Sequence, residues 1–264
     1  MKKILVLGII FILIGGVFCG AAYAAGEKYV DKKTTDITAE FSASGVDKIN
    51  VGAHIGTIRI VQSQNSGEIL VVAENIAENE FECESSGGTL YVAYNPKTVK
   101  FGFISLPAFV GEPFWGKKNP AITIYIPKDK LFDEIYFEGG VGDTKIEQIS
   151  AKSFVLSGGV GNFEVQNIYA EGFLIKGGVG DFKIGGTILG DIEIDGGLGN
   201  IRLDLKGDAD DYGVKSKSGL GNIKIGGRPP MDEGRSSTIE TSTSGKYKIN
   251  INGGVGNIDI NFSE

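Results

Sequence analysis

A five-residue motif rich in glycine constrains the fold of this chain more than any other feature. It reads Gly-Gly-Val-Gly-Asp, or a close variant, and occurs six times. The copies occupy residues 139–143, 158–162, 177–181, 196–200, 218–222 and 253–257. The first four copies begin 19 residues apart, and the next two intervals are 22 and 35 residues. A fixed period near 20 residues is typical of a solenoid, in which similar units stack.

Apolar and polar residues alternate on both sides of each motif. Ile135 and Phe137 precede the first copy, Ile146 follows it, and charged Glu138 and Lys145 lie between them. The same offsets recur around the later copies. Alternation with period two indicates β-strands, and a unit of two short strands can bury its apolar face only by stacking. We therefore predict an all-β fold, a parallel β-solenoid of about ten coils with roughly 19–22 residues each, over residues 37–264.

The third motif residue is also apolar, and we expect it to face the core with the other apolar residues. Less regular copies of the unit extend the pattern upstream to residues 49–60 and 81–92. In these copies Cys83 falls on a predicted core position, so we interpret it as a small buried residue. His54, the only histidine, matches the second glycine of the motif, which favours an exposed corner residue over a catalytic base.

Glycine-rich motifs can bind phosphate, bind calcium or turn the chain. Phosphate binding requires a helix that begins at the motif, whereas here a strand follows it. In calcium-binding repeats the sixth residue is a ligand, but here most of the sixth residues are apolar. They are Thr144, Phe163, Phe182, Ile201, Ile223 and Ile258. We therefore predict no metal and no cofactor at the motifs.

The motifs are best interpreted as structural corners. The glycine at the fourth position of each copy is interpreted as a corner residue, and Gly161 and Gly180 are predicted to take a positive φ, which glycine adopts without steric cost. The six corner glycines are Gly142, Gly161, Gly180, Gly199, Gly221 and Gly256. The fifth residues should stack into a column joined by hydrogen bonds, with Asn separating the Asp carboxylates. They are Asp143, Asn162, Asp181, Asn200, Asn222 and Asn257.

The first 25 residues have the composition of an export signal. Lys2 and Lys3 are followed by an uncharged run over residues 4–25, and Ala22-Tyr23-Ala24 fits a signal-peptidase site. The run is also long enough to span a bilayer, so a retained membrane anchor is the alternative to a cleaved signal. Residues 26–36 are then a linker. In both cases the protein is exported.

The net charge restricts the class of partner. Without the two N-terminal lysines, the 26 basic residues become 24 against 33 acidic residues, a net charge of −9. A negative domain is unsuited to nucleic acid or to anionic lipid. A cell-wall glycan or an envelope protein remains compatible as a partner, as does the membrane through an uncleaved N-terminal segment.

Two segments interrupt the repeats. Residues 95–119 contain prolines and a cluster of aromatic residues, and residues 226–244 form a polar loop that we expect to be a mobile surface loop. The aromatic residues are Phe101, Phe103, Phe109, Phe114 and Trp115. They are interpreted as a lid over the solenoid or as a patch that binds a partner.

The stretch AITIYIPKDKLFDEIYFEGGVGDTKIEQI, residues 121–149, followed by glycine-corner repeats, resembles a bacterial family named "putative adhesin". Its most specific part is Ile124-Tyr125-Ile126-Pro127-Lys128. The resemblance covers about residues 37–262. It implies a parallel β-solenoid in an exported cell-envelope protein and provides no catalytic residues.

We therefore expect a non-enzymatic envelope protein with an adhesive, binding or scaffolding role. A carbohydrate-active enzyme is the main alternative, because lyases and hydrolases also use parallel β-solenoids. Such an enzyme requires converging carboxylates, for which the candidates are Glu138 with Asp143 and Asp191 with Asp195. Their simpler interpretation is as solvated residues beside a turn. Sensing of envelope stress and self-assembly are the remaining alternatives.

Overall fold

The structure is a computed structural model that describes residues 34–95, 98–101, 104–107, 119–217, 219–226, 238–240 and 245–263. The predicted signal or anchor, residues 1–25, lies outside the described residues. For residues 53, 54, 98–101, 104–107 and 238–240 the structure describes the backbone and not the side chains.

Within the described residues the chain forms twenty β-strands and three single 3-10 turns. The strands are β1 (Thr35–Ser42), β2 (Lys48–Ile55), β3 (Thr57–Ser63), β4 (Glu68–Ile76), β5 (Phe81–Ser86), β6 (Thr89–Tyr94), β7 (Thr98–Phe101), β8 (Ile104–Pro107), β9 (Ala121–Pro127), β10 (Leu131–Val141), β11 (Thr144–Ser157), β12 (Phe163–Lys176), β13 (Phe182–Ile188), β14 (Ile192–Asp195), β15 (Ile201–Lys206), β16 (Tyr212–Lys217), β17 (Ile223–Ile225), β18 (Thr238–Glu240), β19 (Tyr247–Asn252) and β20 (Ile258–Ser263). The turns are Ala43–Gly45, Glu78–Glu80 and Ala209–Asp211. The prediction of an all-β fold is confirmed.

The strands stack in two faces that meet at the glycine corners. Face A holds the strands that precede the corners, in the order β6, β2, β10, the second halves of β11 and β12, β14, β19 and β16. Face B holds the strands that follow, in the order β9, β3, the first halves of β11 and β12, β13, β15, β20 and β17. All of these neighbours are parallel, as a solenoid requires.

One strand from each face makes a layer, and the described residues form eight layers in this arrangement. We number them from layer 1, which pairs β6 with β9, to layer 8, which pairs β16 with β17. The expected count of about ten coils is not confirmed. Antiparallel strands extend the ends, where β4 pairs with β9 and β1 with β4, β5 pairs with β6, and β18 pairs with β16.

The layers do not stack in sequence order at either end. The C-terminal unit, β19 and β20, lies between the unit of β14 and β15 and the unit of β16 and β17. At the other end, β2 and β3 lie between layer 1 and the unit of β10 and β11. The last two copies of the motif therefore stack in the reverse of their order along the chain.

The predicted unit at residues 81–92 is also wrong in kind. β5 and β6 form an antiparallel hairpin, and the two residues that join them, Gly87 and Gly88, have φ of +58° and +78°. Two consecutive residues with positive φ form the tight turn whose twist suits a hairpin. The Ser-Ser-Gly-Gly stretch therefore reverses the chain where the motif of the other layers turns a corner. Cys83 lies on this hairpin, half-buried against the core.

The interior is a continuous column of aliphatic and phenylalanine side chains. The residues that flank the motifs at alternate positions, such as Ile135, Phe137 and Ile146, are fully buried. Equivalent residues of successive layers lie directly above one another, so the rings of Phe163 and Phe182 stack with centroids 5.3 Å apart. The upstream unit at residues 49–60 has the same pattern and occupies layer 2.

Candidate binding surface

The edge where the two faces meet at the glycine corners is the most regular surface of the molecule. The glycine at the fourth position of the motif has a φ between +135° and +144° in all six copies. Each approaches the backbone of the neighbouring layer closely: a Cβ on Gly161 would lie 1.9 Å from the carbonyl oxygen of Gly142. At Gly161 only glycine therefore satisfies both the backbone angle and the spacing of the layers.

The fifth motif residues form the column expected from the sequence, in the order of the layers. That order is Asp143, Asn162, Asp181, Asn200, Asn257 and Asn222. Each side-chain oxygen accepts a hydrogen bond from the backbone N–H of the next member, at 2.8–3.1 Å. The two carboxylates are separated by Asn162, which avoids like charges on adjacent layers.

The third motif residues do not face the core, contrary to the expectation from alternation. They point outward and are between 45% and 68% exposed. In layer order they are Val141, Val160, Val179, Leu198, Val255 and Leu220. We call this row the aliphatic ridge. With a layer spacing of about 4.8 Å, its six members extend over roughly 24 Å.

The corner interior explains why the ridge is expelled. The residue that follows each five-residue motif turns inward and is about 3% exposed, and these side chains fill the space inside the corner. A Cβ on Gly158 would lie 2.6 Å from Cζ of Phe182. The chain therefore has no room for another inward side chain between the first and the sixth motif residue. Simple period-two alternation overlooks this because the glycines shift the phase of the pattern.

The aromatic segment begins on the same edge as the ridge. In layer 1 residues 95–120 connect β6 to β9, at the place where the other layers have a corner. Part of this segment is an antiparallel hairpin of β7 and β8. Phe103, Phe109, Phe114 and Trp115 lie outside the described residues, as does the side chain of Phe101.

His54 and the polar segment 226–244 are the other positions singled out in the sequence. The backbone register places His54 opposite the second glycine of the motif in layer 3, as expected, and its side chain is not described. The polar segment 226–244 contains strand β18, which is paired with β16, so it is not entirely a loop. Ser218 lies outside the described residues.

The carboxylates considered as an acid pair serve as hydrogen-bond acceptors. Asp191 accepts from the backbone N–H of Lys248, and Asp195 accepts from the side-chain amide of Asn252, both at 2.8 Å. Asp143 belongs to the column already described, and Glu138 is exposed on face A. The described residues contain no group of three or more side chains suited to a metal ion.

The shortest charge contacts lie at the surface, one between neighbouring layers and one within β15. Lys152 donates to Asp133 at 2.6 Å, which lowers the pKa of the aspartate and raises that of the lysine. Arg202 donates to Asp204, and this hydrogen bond lowers the pKa of Asp204. Burial of the Cys83 thiol raises its pKa to about 12. These shifts occur at separate places and do not converge on a reactive centre.

A shallow cavity of about 480 Å³ lies on the opposite edge, between the return turns of the first layers. Ser44, Ser63, Ser66, Lys128, Asp129 and Lys130 contribute to its lining. The Lys130 ammonium is already 3.9 Å from the Asp47 carboxylate and lies over the Phe132 ring. The cavity therefore offers hydroxyl groups and mixed charges rather than a set of groups suited to one reaction.

None of the helices in the described part of the chain is long and apolar enough to cross a membrane. No curated protein matches the sequence significantly. Solved structures that match this chain include a "putative cell adhesion protein" from Clostridium sporogenes, with 17% identity over 88% of this chain and 100% of that chain and a TM-score of 0.44. A "putative adhesin" from Bacteroides fragilis has 16% identity over 87% and 98%, with a TM-score of 0.31.

A "putative lipid binding protein" from Parabacteroides distasonis has 15% identity over 86% of this chain and 96% of that chain, with a TM-score of 0.30. At these identities and TM-scores the likenesses assign no function to this chain. The family model described as Toastrack DUF4097 matches residues 46–189 and again 142–261, which together cover most of the sequence. The resemblance found in the sequence is thereby confirmed, and the chain belongs to the toastrack DUF4097 family.

Proposed function

We propose that this chain is a non-enzymatic, exported component of the cell envelope that binds a partner at the cell surface through its corner edge. The observation that carries the proposal is the concentration of apolar surface there. Six half-exposed aliphatic side chains stand in one row, and the aromatic segment 95–119 starts from the same edge. Exposed apolar rows of this length mark interaction sites more often than inert surface.

The roles of the acidic residues support binding rather than catalysis. Glycoside chemistry needs two carboxyl groups that converge on one bond. Here Asp143, Asp191 and Asp195 each accept hydrogen bonds that join neighbouring layers. Their oxygens therefore have a structural function that the solenoid itself requires.

The partner is a cell-wall glycan or an envelope protein. The net charge of −9 over residues 26–264 disfavours nucleic acid and anionic lipid headgroups. Aromatic side chains provide a large, rigid contact area at low entropic cost, so Phe114 and Trp115 are the expected anchors. The apolar N-terminal run carries the protein out of the cytoplasm and, where it is retained, keeps it at the membrane.

The experiment measures co-sedimentation of the protein with purified cell-wall sacculi and with washed envelope membranes. The wild type should bind one of these fractions, and Phe114→Ser/Trp115→Ser should weaken that binding at least about tenfold. Tyr169→Ser is the matched control, because Tyr169 is an exposed aromatic residue on the opposite edge. Melting temperatures should remain within about 2 °C of the wild type for both variants.

Three results would contradict the proposal. The first is that the wild type binds neither fraction. The second is that the double variant binds as well as the wild type. The third is that the sacculi release new reducing ends in the presence of the protein. A melting temperature several degrees lower with binding intact would instead show that the aromatic segment is a lid.

A further inference from the structure

A column of charged and polar residues runs beside the aliphatic ridge on face A. Its members immediately precede the motif in each of layers 3 to 8. In layer order they are Glu138, Ser157, Lys176, Asp195, Asn252 and Lys217. Five of the six are exposed, and Ser157 is partly exposed. The signs along this charged column therefore read negative, neutral, positive, negative, neutral, positive.

When the column is read from the other end, every sign is inverted: positive positions become negative, negative positions become positive, and neutral positions stay neutral. Two copies of one chain that meet about a two-fold axis perpendicular to the stack run antiparallel, and each column then faces itself in reverse. Glu138 faces Lys217 of the second copy, Ser157 faces Asn252, and Lys176 faces Asp195. Every charge of the column meets an opposite charge, and every neutral residue meets a neutral residue.

We propose that the aliphatic ridge and the charged column form a self-complementary surface on which two copies of this chain associate antiparallel, with the axis between layers 5 and 6. In this arrangement the ridges also face one another and are removed from water. In layers 3 to 7 the first two motif residues, which lie between the ridge and the column, are glycine, so no other side chain separates the two surfaces there. In the dimer the ridge contacts the second copy, and the glycan or envelope protein proposed above contacts the corner edge through the aromatic segment.

The charges also select one register. A shift of the second copy by one layer places Lys176 opposite Lys176, or Asp195 opposite Asp195. Like charges directly opposite one another are unfavourable, and a shift of two layers likewise opposes Glu138 to Asp195 or Lys176 to Lys217. A shift of three layers avoids like pairs but brings only three residues of each column into contact, so the register with the axis between Lys176 and Asp195 makes the most opposite-charge pairs.

The opposite flank of the ridge shows which side makes the contact. On face B the outward column reads Lys145, Glu164, Lys183, Arg202, Asp259 and Lys224 in the same layers. Its signs are unchanged on reversal, so two such columns would oppose like charges throughout. The contact between the two copies must therefore include the charged column on face A and leave the outward column of face B outside it.

The contact extends over six layers, or roughly 24 Å, and about two columns in width. This is less than the area of about 800 Å² per partner that stable dimers usually bury. The association should consequently be reversible and dependent on concentration. Layer 1, where β6 ends and β9 begins, is outside the contact, so dimerisation and binding through the aromatic segment can be tested separately.

The test measures dimerisation of the full chain in a mild detergent by sedimentation velocity at low ionic strength. Glu138→Lys and Lys217→Glu should each raise the dimer dissociation constant about tenfold, because each variant places like charges opposite at two symmetric positions. The double variant Glu138→Lys/Lys217→Glu should restore dimerisation to within about threefold of the wild type. These residues are five layers apart in one chain, so the rescue can arise only between copies.

Ridge variants and a cross-link test the geometry independently. Val179→Ser/Leu198→Ser should weaken dimerisation, whereas Lys183→Glu on face B should not change it. In a Cys19→Ser background, the variant Ser157→Cys/Asn252→Cys should form a covalent dimer under mild oxidation, and Ser157→Cys alone should not. Within one chain these two positions are three layers apart, which is too far for a disulfide.

The proposal is overturned if the wild type stays monomeric up to millimolar concentration, or if the double charge variant associates no better than the single variants. It is also overturned if Lys183→Glu weakens dimerisation as much as Glu138→Lys, because the contact would then lie on face B. Binding to sacculi is a separate measurement, and loss of one property without the other distinguishes the two proposals.

Discussion

At the scale of single residues, the stacking of the layers depends on positions where a side chain is absent. The six corner glycines have a positive φ and contact the carbonyl group of the layer below. Beside them, the Asx side chains bind the backbone N–H of the next layer. The corner is therefore specified by one residue that must lack a side chain and by one that must carry a side-chain oxygen.

The first prediction concerns Gly161. Gly161→Ala should lower the free energy of unfolding by at least about 2 kcal/mol, because the new Cβ meets the Gly142 carbonyl and the φ of +143° is unfavourable for alanine. Thermal unfolding should show a decrease of at least about 5 °C. Gly52→Ala is the control, since a Cβ there has no heavy atom within 4 Å. Equal melting temperatures for the two variants would show that the corner tolerates a side chain.

The second prediction concerns Cys83. Burial raises the pKa of its thiol to about 12, so the group stays protonated and unreactive at pH 8. In a Cys19→Ser background, a thiol reagent should therefore react at least about a hundredfold more slowly in the native protein than in denaturant. Since the pKa of the thiol in the folded protein lies above its ordinary value of 9.0, the stability linked to this group is full below pH 9 and declines as the pH rises toward 12. Rapid native labelling would contradict the burial of the thiol.

At the scale of elements, the sequence predicted the strands around each motif but not the direction of every side chain. Period-two alternation places Ile135, Phe137 and Ile146 correctly in the core. It fails at Val141, because the phase changes within the glycines and no local pattern records that change. It also failed at β5 and β6, where two glycines form a hairpin turn in place of a corner. Glycine content alone does not distinguish a turn that reverses the chain from one that bends it.

The third prediction separates the acceptor oxygen of the Asx column from its charge. Asp181 Oδ1 accepts from the backbone N–H and the side-chain amide of Asn200. Asp181→Ala should lower the free energy of unfolding by about 1 kcal/mol, because both hydrogen bonds are lost. Asp181→Asn should be close to the wild type, since the amide oxygen replaces the carboxylate oxygen. Denaturant titration measures both, and an equal loss in the two variants would mean that the negative charge is what matters.

At the scale of the whole molecule, the sequence indicated repeated units but not the order in which they stack. Each layer presents a similar backbone edge and similar aliphatic side chains to both of its neighbours. A local pattern therefore contains little information about which unit is adjacent. The intervals of 22 and 35 residues between the last motifs are the visible sign that the connections change there. The ridge and the charged column exist only in the stacked order, which is why the sequence alone did not predict them.

The last prediction follows from this order. Deletion of residues 245–264 removes an internal layer, because β19 and β20 lie between the unit of β14 and β15 and the unit of β16 and β17. The parallel ladders that hold β16 and β17 are lost with it, so hydrogen exchange should show these two strands unprotected while β11 and β12 remain protected. Deletion of Glu264 alone is the control and should leave every strand protected. If β16 and β17 kept their protection in the larger deletion, they would have docked directly on β14 and β15, and the position of the C-terminal unit would not be required for the terminal layer to fold.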